Sequence, residues 1–197
     1  MPVVAVPAGA TDVPALEDVL QAAFWDDPLT VFLFPDEQSR SRRSALLFRA
    51  LLRFHYLPMR TVWTTSDQAG AAMWAPPGHW RLPPRESLRA LPTTLRGLGR
   101  DLGRSLRLLG EVNRQHPEQP HWYLGVLGTD PPRQGRGIGS ALLAPALERC
   151  DREGMPAYLE SSKESNIPFY ARHGFAVTQE LRVPGAPPLY AMWREPS

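Results

Sequence analysis

Three glycines occupy alternate positions in the segment Gln134-Gly135-Arg136-Gly137-Ile138-Gly139-Ser140. Glycine lets the backbone approach a ligand closely and turn its N–H groups toward it. The apolar run that follows is typical of a helix, whose first turn contributes unpaired N–H donors and the positive end of its dipole. The segment therefore predicts a binding site for a phosphate or diphosphate group, formed mainly by main-chain donors.

Two known types of glycine loop can be compared with this segment. The phosphate loop of nucleotide hydrolases needs a lysine directly after its last glycine, and Lys163 is the only lysine of the chain, so this type is excluded. The dinucleotide-binding pattern fits Gly135 and Gly137 but has Ser140 in place of its third glycine. Glu160 does lie about 20 residues further on, where a ribose-binding acid belongs. A dinucleotide-binding oxidoreductase therefore stays as a remote alternative.

The segments on either side alternate between strand-like and helix-like patterns. A strand over 122–127 precedes the glycines, and a helix over about 138–153 and a strand over 157–161 follow them. The other predicted elements are an edge strand over 3–7, a helix that begins after Asp12, a helix over about 38–56, a hairpin over 61–74, and strands over 176–183 and 189–193. The arginines of the second helix are expected on its solvated side: Arg40, Arg42, Arg43, Arg49 and Arg53.

A leucine-rich region over 77–118 separates the hairpin from the strand at 122. Its leucines recur at threes and fours, as in an apolar helix stripe, while Pro92 and several glycines work against one long helix. The pattern predicts two shorter helices that lie on the body of the protein. Many arginines in this region suggest a nucleic-acid surface, but a net charge of +2 over the chain favours an ordinary solvated face.

Composition limits the class of protein. With 197 residues the chain predicts one domain over 1–197, with residues 77–118 as a helical insert. No apolar run is long enough to span a membrane, and the N-terminus lacks the pattern of a secretion signal. The lone cysteine, Cys150, is expected to fill space on a helix, and no residue cluster predicts a metal site. Together these features indicate a cytoplasmic protein.

Two motifs resemble a known family. The residues Gln134-x-x-Gly137-x-Gly139, and the later signature from Asn166 through Tyr170 to Gly174-Phe175, are similar to those of the GNAT (GCN5-related) N-acetyltransferases. The resemblance covers about 121–193, and the wording Leu-Glu-Ser-Ser and Asn-x-Pro-Phe-Tyr looks most like the puromycin N-acetyltransferase branch. It implies an α/β fold with a mixed, mostly antiparallel sheet of six to seven strands, splayed central parallel strands and helices on both faces.

The resemblance also implies acetyl-CoA as cosubstrate and no metal. It assigns acetyl-CoA binding to the end of the strand, the glycine segment and the later asparagine: Leu127, Gly128, Thr129, Gln134, Gly135, Arg136, Gly137, Ile138, Gly139, Ser140 and Asn166. Tyr170 matches the family tyrosine that protonates the departing sulfur. Glu160 is either the general base or a hydrogen-bond acceptor that positions the substrate, and the sequence leaves both open.

The acceptor side is predicted from aromatic and acidic residues: Trp25, Asp26, Asp27, Phe34 and Tyr190. His121 and His173 are interpreted as surface residues because no nucleophile or carboxylate accompanies them at a suggestive spacing. The insert is a candidate roof for the acceptor pocket.

The resulting hypothesis is an acetyl-CoA-dependent transfer of an acetyl group to a primary amine of a small molecule, by direct attack in a ternary complex. The alternatives are a non-catalytic acyl-CoA-binding module and an acetyltransferase that acts on a protein N-terminus or an aminoacyl-tRNA. No membrane partner is expected, nucleic acid is disfavoured, and a homodimer is compatible with the sequence.

Overall fold

The computed structural model describes residues 3–197, which form seven strands in one sheet, with helices on both faces. The strands are β1 (Ala5–Pro7), β2 (Val62–Thr65), β3 (Gly70–Ala75), β4 (Trp122–Thr129), β5 (Ala157–Ser161), β6 (Ala176–Leu181) and β7 (Leu189–Arg194). The α-helices are α1 (Val13–Ala23), α2 (Pro28–Leu33), α3 (Glu37–Leu51), α4 (Pro84–Leu98), α5 (Leu102–Gln115), α6 (Ile138–Glu153) and α7 (Ile167–Ala171). A π-helical turn, Leu52–Tyr56, extends α3.

The sheet has the order β1-β2-β3-β4-β5-β7-β6. Strands β4 and β5 pair in parallel, and the other neighbouring strands of the described chain pair antiparallel. The predicted mixed, mostly antiparallel sheet is therefore confirmed. The helix α6 is the long crossover that a parallel connection between β4 and β5 requires.

The two central parallel strands separate partway along their length. Their pairing begins at Trp122 with Ala157 and ends at Leu124 with Leu159. Beyond that point β4 continues to Thr129 without β5 beside it. The expected splay is confirmed, and it leaves a gap whose walls carry main-chain groups that are free of a partner strand on that side.

A β-bulge at Gly125 marks the place where the strands separate. On β3, Met73 pairs with Val126 and Trp74 pairs with Leu124, so Gly125 is the extra residue. An extra residue in a strand moves every side chain after it to the opposite face of the sheet. Trp122 and Leu124 accordingly pack against α6, whereas Val126 belongs to the core formed with α1 and α3.

Two sequence predictions about side-chain exposure are wrong. Arg40 and Arg43 are buried, because their guanidinium groups bond to carbonyl oxygens outside their own helix. Arg43 donates to Gly97 and also pairs with Asp101 at 2.8 Å, which ties α3 to the insert. The insert does form two helices, but most of its leucine stripe is exposed rather than packed: Leu88, Leu91, Leu95 and Leu109.

A bidentate ion pair ties the C-terminal strand to the end of α6. Arg194 donates to Asp151 at 2.7 and 2.8 Å, and this holds the pKa of Asp151 at about 2. Because the folded pKa lies below the unfolded one, this stabilisation is present above about pH 4 and is lost as the pH falls toward about 2.

We therefore expect Asp151→Asn to lower the melting temperature at pH 7 and to have little further effect near pH 2. Thermal unfolding of the wild type and of Asp151→Asn between these pH values measures the difference in melting temperature. Asp18→Asn is the matched control, since Asp18 is exposed and makes no ion pair with another described residue. A constant Asp151→Asn deficit across the pH range would contradict this role.

Candidate active site

The glycine segment forms a loop that leads directly into α6. Gly135 and Gly137 have φ angles of 74° and 81°, in the left-handed region that favours glycine. The Ala141 N–H donates to the Gly137 carbonyl oxygen at 3.0 Å, the first hydrogen bond of the helix. The preceding N–H groups of the first turn lack helical acceptors, and no side chain caps the helix. The loop thus presents a set of free main-chain donors at the positive end of a helix of 16 residues.

A cleft of about 470 Å³ lies beside this loop. Its walls come from the end of α1, the end of β4, the glycine loop and the segment leading into α7. The cleft is lined by nearly all the residues predicted to bind acetyl-CoA: Leu127, Gly128, Thr129, Gln134, Gly135, Gly137, Ile138, Gly139, Ser140 and Asn166. Arg136 is exposed and does not line it.

The loop fits a bulky anionic group by its shape. A Cβ atom added at Gly135 or Gly137 would meet no described atom within 4 Å, so the space above the loop is open. Lys163 and Arg172 bring positive charge to the same cleft. The Ser140 hydroxyl contacts Nε2 of His173 at 3.0 Å. His173, predicted at the surface, is therefore half-buried behind the loop, and burial lowers its pKa.

Tyr170 lies in the wall of the cleft and is 8% exposed. Burial, followed by the charge of Asp27, raises the pKa of its phenol well above the ordinary value, so the group keeps its proton at neutral pH. Its ring packs beside Phe169 and Phe175. A protonated hydroxyl is thus held rigidly at the cleft wall. Asn166 precedes α7 without a capping hydrogen bond from its side chain, which leaves the amide available to a ligand.

Glu160 is the first residue of β5 beyond the last parallel pair with β4. Its side chain is only 6% exposed and does not line the cleft beside the glycine loop. It lies instead in a cluster of aromatic side chains on the α3 face of the sheet. The charge of Glu160 contributes, after burial, to the raised pKa values of Tyr56, Tyr123 and Tyr158. The carboxylate therefore occupies a dry site next to the gap between the central strands.

The sequence did not predict this aromatic cluster. His116, at the end of α5, places Nδ1 3.4 Å from Oε1 of Glu160 and stacks on Trp80 at 3.7 Å. A Cβ atom at Gly125 would lie 1.9 Å from the Tyr56 hydroxyl, so the bulge glycine leaves room for that hydroxyl where the strands separate. Only the alternation of Tyr123 and Tyr158 with apolar residues hinted that both tyrosines share one face. Nothing in the sequence tied His116 to Glu160.

The five residues predicted on the acceptor side have different environments. Asp27 lines the cleft and accepts hydrogen bonds from the first turn of α2 and from the Ser162 hydroxyl. Asp26 is exposed and pairs with Lys163 at 2.7 Å. The guanidinium group of Arg40 stacks over the Trp25 ring at 4.8 Å. The Tyr190 hydroxyl donates to Glu164 at 3.4 Å. Phe34 is 1% exposed and packs against Arg43, so its ring is part of the interior.

Two further predictions concern single residues. His121, predicted at the surface, is buried, because its ring is enclosed by Tyr158, Trp193 and His116. Cys150 is fully buried on α6, where burial raises its pKa to about 12, as expected for a residue that fills space.

Comparison with known proteins identifies the family. The model of the Acetyltransferase (GNAT) family matches residues 105–175. An uncharacterized N-acetyltransferase of Schizosaccharomyces pombe is 31% identical over 201 residues, covering 95% of this chain and 81% of that protein. The chain belongs to the GNAT family of acetyltransferases. Family membership makes it an N-acetyltransferase, and GNAT enzymes generally use acetyl-CoA as the acetyl donor.

Solved structures agree with this GNAT assignment. A crystal structure from Corynebacterium glutamicum, described as histone acetyltransferase HPA2 and related acetyltransferase, superimposes with a TM-score of 0.77 at 26% identity, covering 100% of this chain and 98% of that one. Arylalkylamine N-acetyltransferase 2 from Aedes aegypti superimposes with a TM-score of 0.66 over 100% of both chains, but at 12% identity this likeness concerns the fold alone. The predicted GNAT fold is thereby confirmed.

Residues 3–197 contain no group of three or more histidine, cysteine, aspartate or glutamate side chains able to hold a metal ion. None of their helices combines the length and apolar character that crossing a bilayer demands.

Proposed function

We propose that this GNAT enzyme acetylates a primary amine of a small molecule by direct attack in a ternary complex. The observation that carries the proposal is the separation of β4 and β5 after Leu124 and Leu159. On one side of that gap lies the cleft with the glycine loop and Tyr170, and on the other lies Glu160. The residues that we propose as donor site, proton donor and base therefore lie on elements that border one opening in the sheet.

The proposed donor site uses residues that line the cleft. The free N–H groups before Ala141 and the dipole of α6 suit the diphosphate of acetyl-CoA. The side chain of Asn166 is free to bond to an amide of the pantetheine arm. Main-chain N–H groups of β4 beyond Leu124 have no β5 partner and suit a carbonyl oxygen that gains negative charge. Bound acetyl-CoA supplies the activated acetyl group.

The proposed proton transfers use Glu160 and Tyr170. An alkylammonium ion must lose one proton before its nitrogen can attack, and Glu160 accepts that proton. The nitrogen loses a second proton as the amide forms, and the leaving thiolate gains one. Tyr170 donates its proton to the sulfur and then takes up the second proton lost by the nitrogen, so atoms and charges balance. Its raised pKa keeps the phenol protonated until the sulfur needs the proton.

The proposed acceptor side carries acidic groups. Asp26 and Asp27 lie in the turn between α1 and α2, and Glu164 lies beside Tyr190. These carboxylates favour the approach of a cationic amine. The resemblance to puromycin N-acetyltransferases lies mainly around the donor site, and we therefore do not extend it to the acceptor.

Glu160→Gln is expected to lower kcat by about 100-fold or more, since glutamine cannot accept the ammonium proton. The loss should shrink at high pH, where a larger fraction of the amine is already neutral. Glu148→Gln on α6 is the matched control, because Glu148 is exposed and makes no ion pair with another described residue. An unchanged kcat for Glu160→Gln would leave Glu160 with a positioning role only.

A thiol-release assay with acetyl-CoA and a library of small amines tests the proposed function. We expect turnover with a subset of primary amines and none with the corresponding alcohols. Intersecting lines in double-reciprocal plots of the initial rate would support the ternary complex. Parallel plots, or release of CoA without any acetylated amine, would contradict the proposal.

A macromolecular acceptor is the second candidate, favoured by one surface of the insert. Five exposed arginines of this surface make no ion pair with another described residue: Arg85, Arg89, Arg96, Arg100 and Arg107. If a protein N-terminus or an aminoacyl-tRNA binds there, KM for that acceptor should rise steeply with salt. A KM that hardly changes with salt would favour the small amine.

A further inference from the structure

Tyr56 places a hydroxyl at the opening between the two central strands. It is the last residue of the π-helical turn that extends α3, a type of turn that often occurs at functional sites. A Cβ atom at Gly125 would lie 1.9 Å from this hydroxyl, so the oxygen rests directly against the backbone of the bulge. Gly125 is the first residue of β4 beyond the last parallel pair with β5. The hydroxyl therefore lies where the strands separate.

Glu160 has the corresponding position on the other strand. Leu124 and Leu159 form the last parallel pair, and Gly125 and Glu160 are the residues that follow them. Glu160 lies on the same face of the sheet as Tyr56, and its charge contributes, after burial, to the raised pKa of that tyrosine. The opening thus has a phenol on its β4 side and a carboxylate on its β5 side.

The Tyr56 hydroxyl makes no hydrogen bond with another described residue. The neighbouring Tyr123 and Tyr158 differ in this respect, because a hydrogen bond to Glu160 adds to burial and to the charge of Glu160 in raising their pKa values. Tyr56 itself is only 4% exposed. Buried polar groups normally have a partner, and a missing one indicates a bound water or ligand.

The cleft with the glycine loop ends close to this hydroxyl. The cleft is lined by β4 from Leu127 onward. Gly125 lies two residues earlier, about 7 Å along an extended strand. Between these residues β4 has no β5 strand beside it. An acetyl group that enters the gap along β4 can therefore reach the Tyr56 hydroxyl.

The reacting groups offer one acceptor for this hydroxyl. Burial, followed by the charge of Glu160, raises the pKa of Tyr56, so the phenol is protonated at neutral pH and can donate. An ammonium group only donates, and the lone pair of the neutral nitrogen must face the carbonyl carbon during attack. Tyr170 already serves the sulfur in the proposed function. The acetyl oxygen is left, and it gains negative charge during the reaction.

We propose that Tyr56 is a further catalytic residue whose hydroxyl donates a hydrogen bond to the acetyl oxygen; this rests on the proposed function. As the nitrogen forms its bond to the carbonyl carbon, the π electron pair moves onto the oxygen, where Tyr56 and main-chain N–H groups of β4 stabilise it. The pair then returns as the carbon–sulfur bond breaks and its electrons leave on the sulfur, which Tyr170 protonates. Tyr56 keeps its own proton throughout.

The first test is infrared difference spectroscopy of bound acetyl-CoA, with and without ¹³C at the acetyl carbonyl. A hydrogen bond to the oxygen lowers the stretching frequency of this carbonyl, so we expect a higher frequency in Tyr56→Phe than in the wild type. Tyr170→Phe should leave the band in place, because Tyr170 is assigned to the sulfur. The same frequency in the wild type and in Tyr56→Phe would overturn the proposal. This readout needs no acceptor.

The second test is the kinetics of Tyr56→Phe with an amine that the wild type acetylates. We expect kcat to fall by about 10- to 100-fold, since main-chain donors remain. KM for the amine and affinity for CoA should hardly change. The loss should be the same at every pH, whereas the loss in Glu160→Gln should shrink at high pH. A raised KM with an unchanged kcat would overturn the assignment.

Tyr158→Phe is the matched control. It removes the same group from the same aromatic cluster, but the Tyr158 hydroxyl is sealed from solvent and out of reach of a ligand. We expect it to shift the acid limb of the pH profile at most, with the maximal kcat and the carbonyl band unchanged. If Tyr56 only packed in the core, Tyr56→Phe would lower the melting temperature and kcat together without moving the band.

The outcomes separate this proposal from the proposed function. If the wild type acetylates amines and Tyr56→Phe keeps both kcat and the carbonyl frequency, the role of Tyr56 is wrong while the proposed function stands. If the wild type binds acetyl-CoA but acetylates no amine, the proposed function itself fails.

Discussion

Gly137→Glu should abolish measurable CoA binding, with affinity at least about 100-fold weaker than in the wild type. Gly137 is the residue before α6, with a φ angle of 81°, and the space above it is open toward the cleft. A glutamate side chain fills that space and places a carboxylate where we propose that the diphosphate binds. Isothermal titration with CoA measures the loss.

The control for this substitution lies at the other end of the same helix. Gly154 follows α6 with a φ angle of 61°, and a Cβ atom there also meets nothing within 4 Å. Gly154→Glu therefore has the same backbone strain and the same added charge, at a distance from the cleft. If the two variants lost CoA affinity equally, strain in α6 rather than occupation of the site would explain the effect.

Tyr170→Phe should lower kcat by about 100-fold or more and leave CoA affinity nearly unchanged. The substitution removes only a hydroxyl from the cleft wall and keeps the ring packed between Phe169 and Phe175. Steady-state kinetics with the best amine from the library, together with CoA titration, separate these two quantities.

The stability of Tyr170→Phe should also be close to that of the wild type. The Tyr170 hydroxyl makes no hydrogen bond with another described residue, so its loss leaves no partner unsatisfied. Tyr190→Phe serves as a comparison, because it removes a hydroxyl whose contact is with exposed Glu164. A Tyr170→Phe enzyme with full kcat would show that another group protonates the leaving sulfur.

The parts of the fold that depend on local pattern were predictable. The glycine spacing and the apolar run after it defined both the loop and α6, which begins at Ile138 and ends at Glu153 as expected. The break between α4 and α5 followed from the glycines near residue 99. In each case the deciding residues lie within a few positions of the element that they control.

The parts that depend on distant contacts were not predictable. Arg43 is buried because carbonyl groups more than 50 residues away accept its protons, and a helical arginine pattern cannot reveal such partners. His116 meets Glu160 only because α5 of the insert ends over the central strands. The residues that surround the proposed base therefore come from segments whose contacts no sequence motif describes.

The central claim is that the free N–H groups at the start of α6 bind the diphosphate of acetyl-CoA. Competitive isothermal titration of the wild-type protein with CoA, pantetheine and a nicotinamide dinucleotide tests it most directly. We predict tight binding of CoA, much weaker binding of pantetheine, which lacks the diphosphate, and no displacement of CoA by the dinucleotide. Equal binding of CoA and pantetheine, or displacement of CoA by the dinucleotide, would contradict the account.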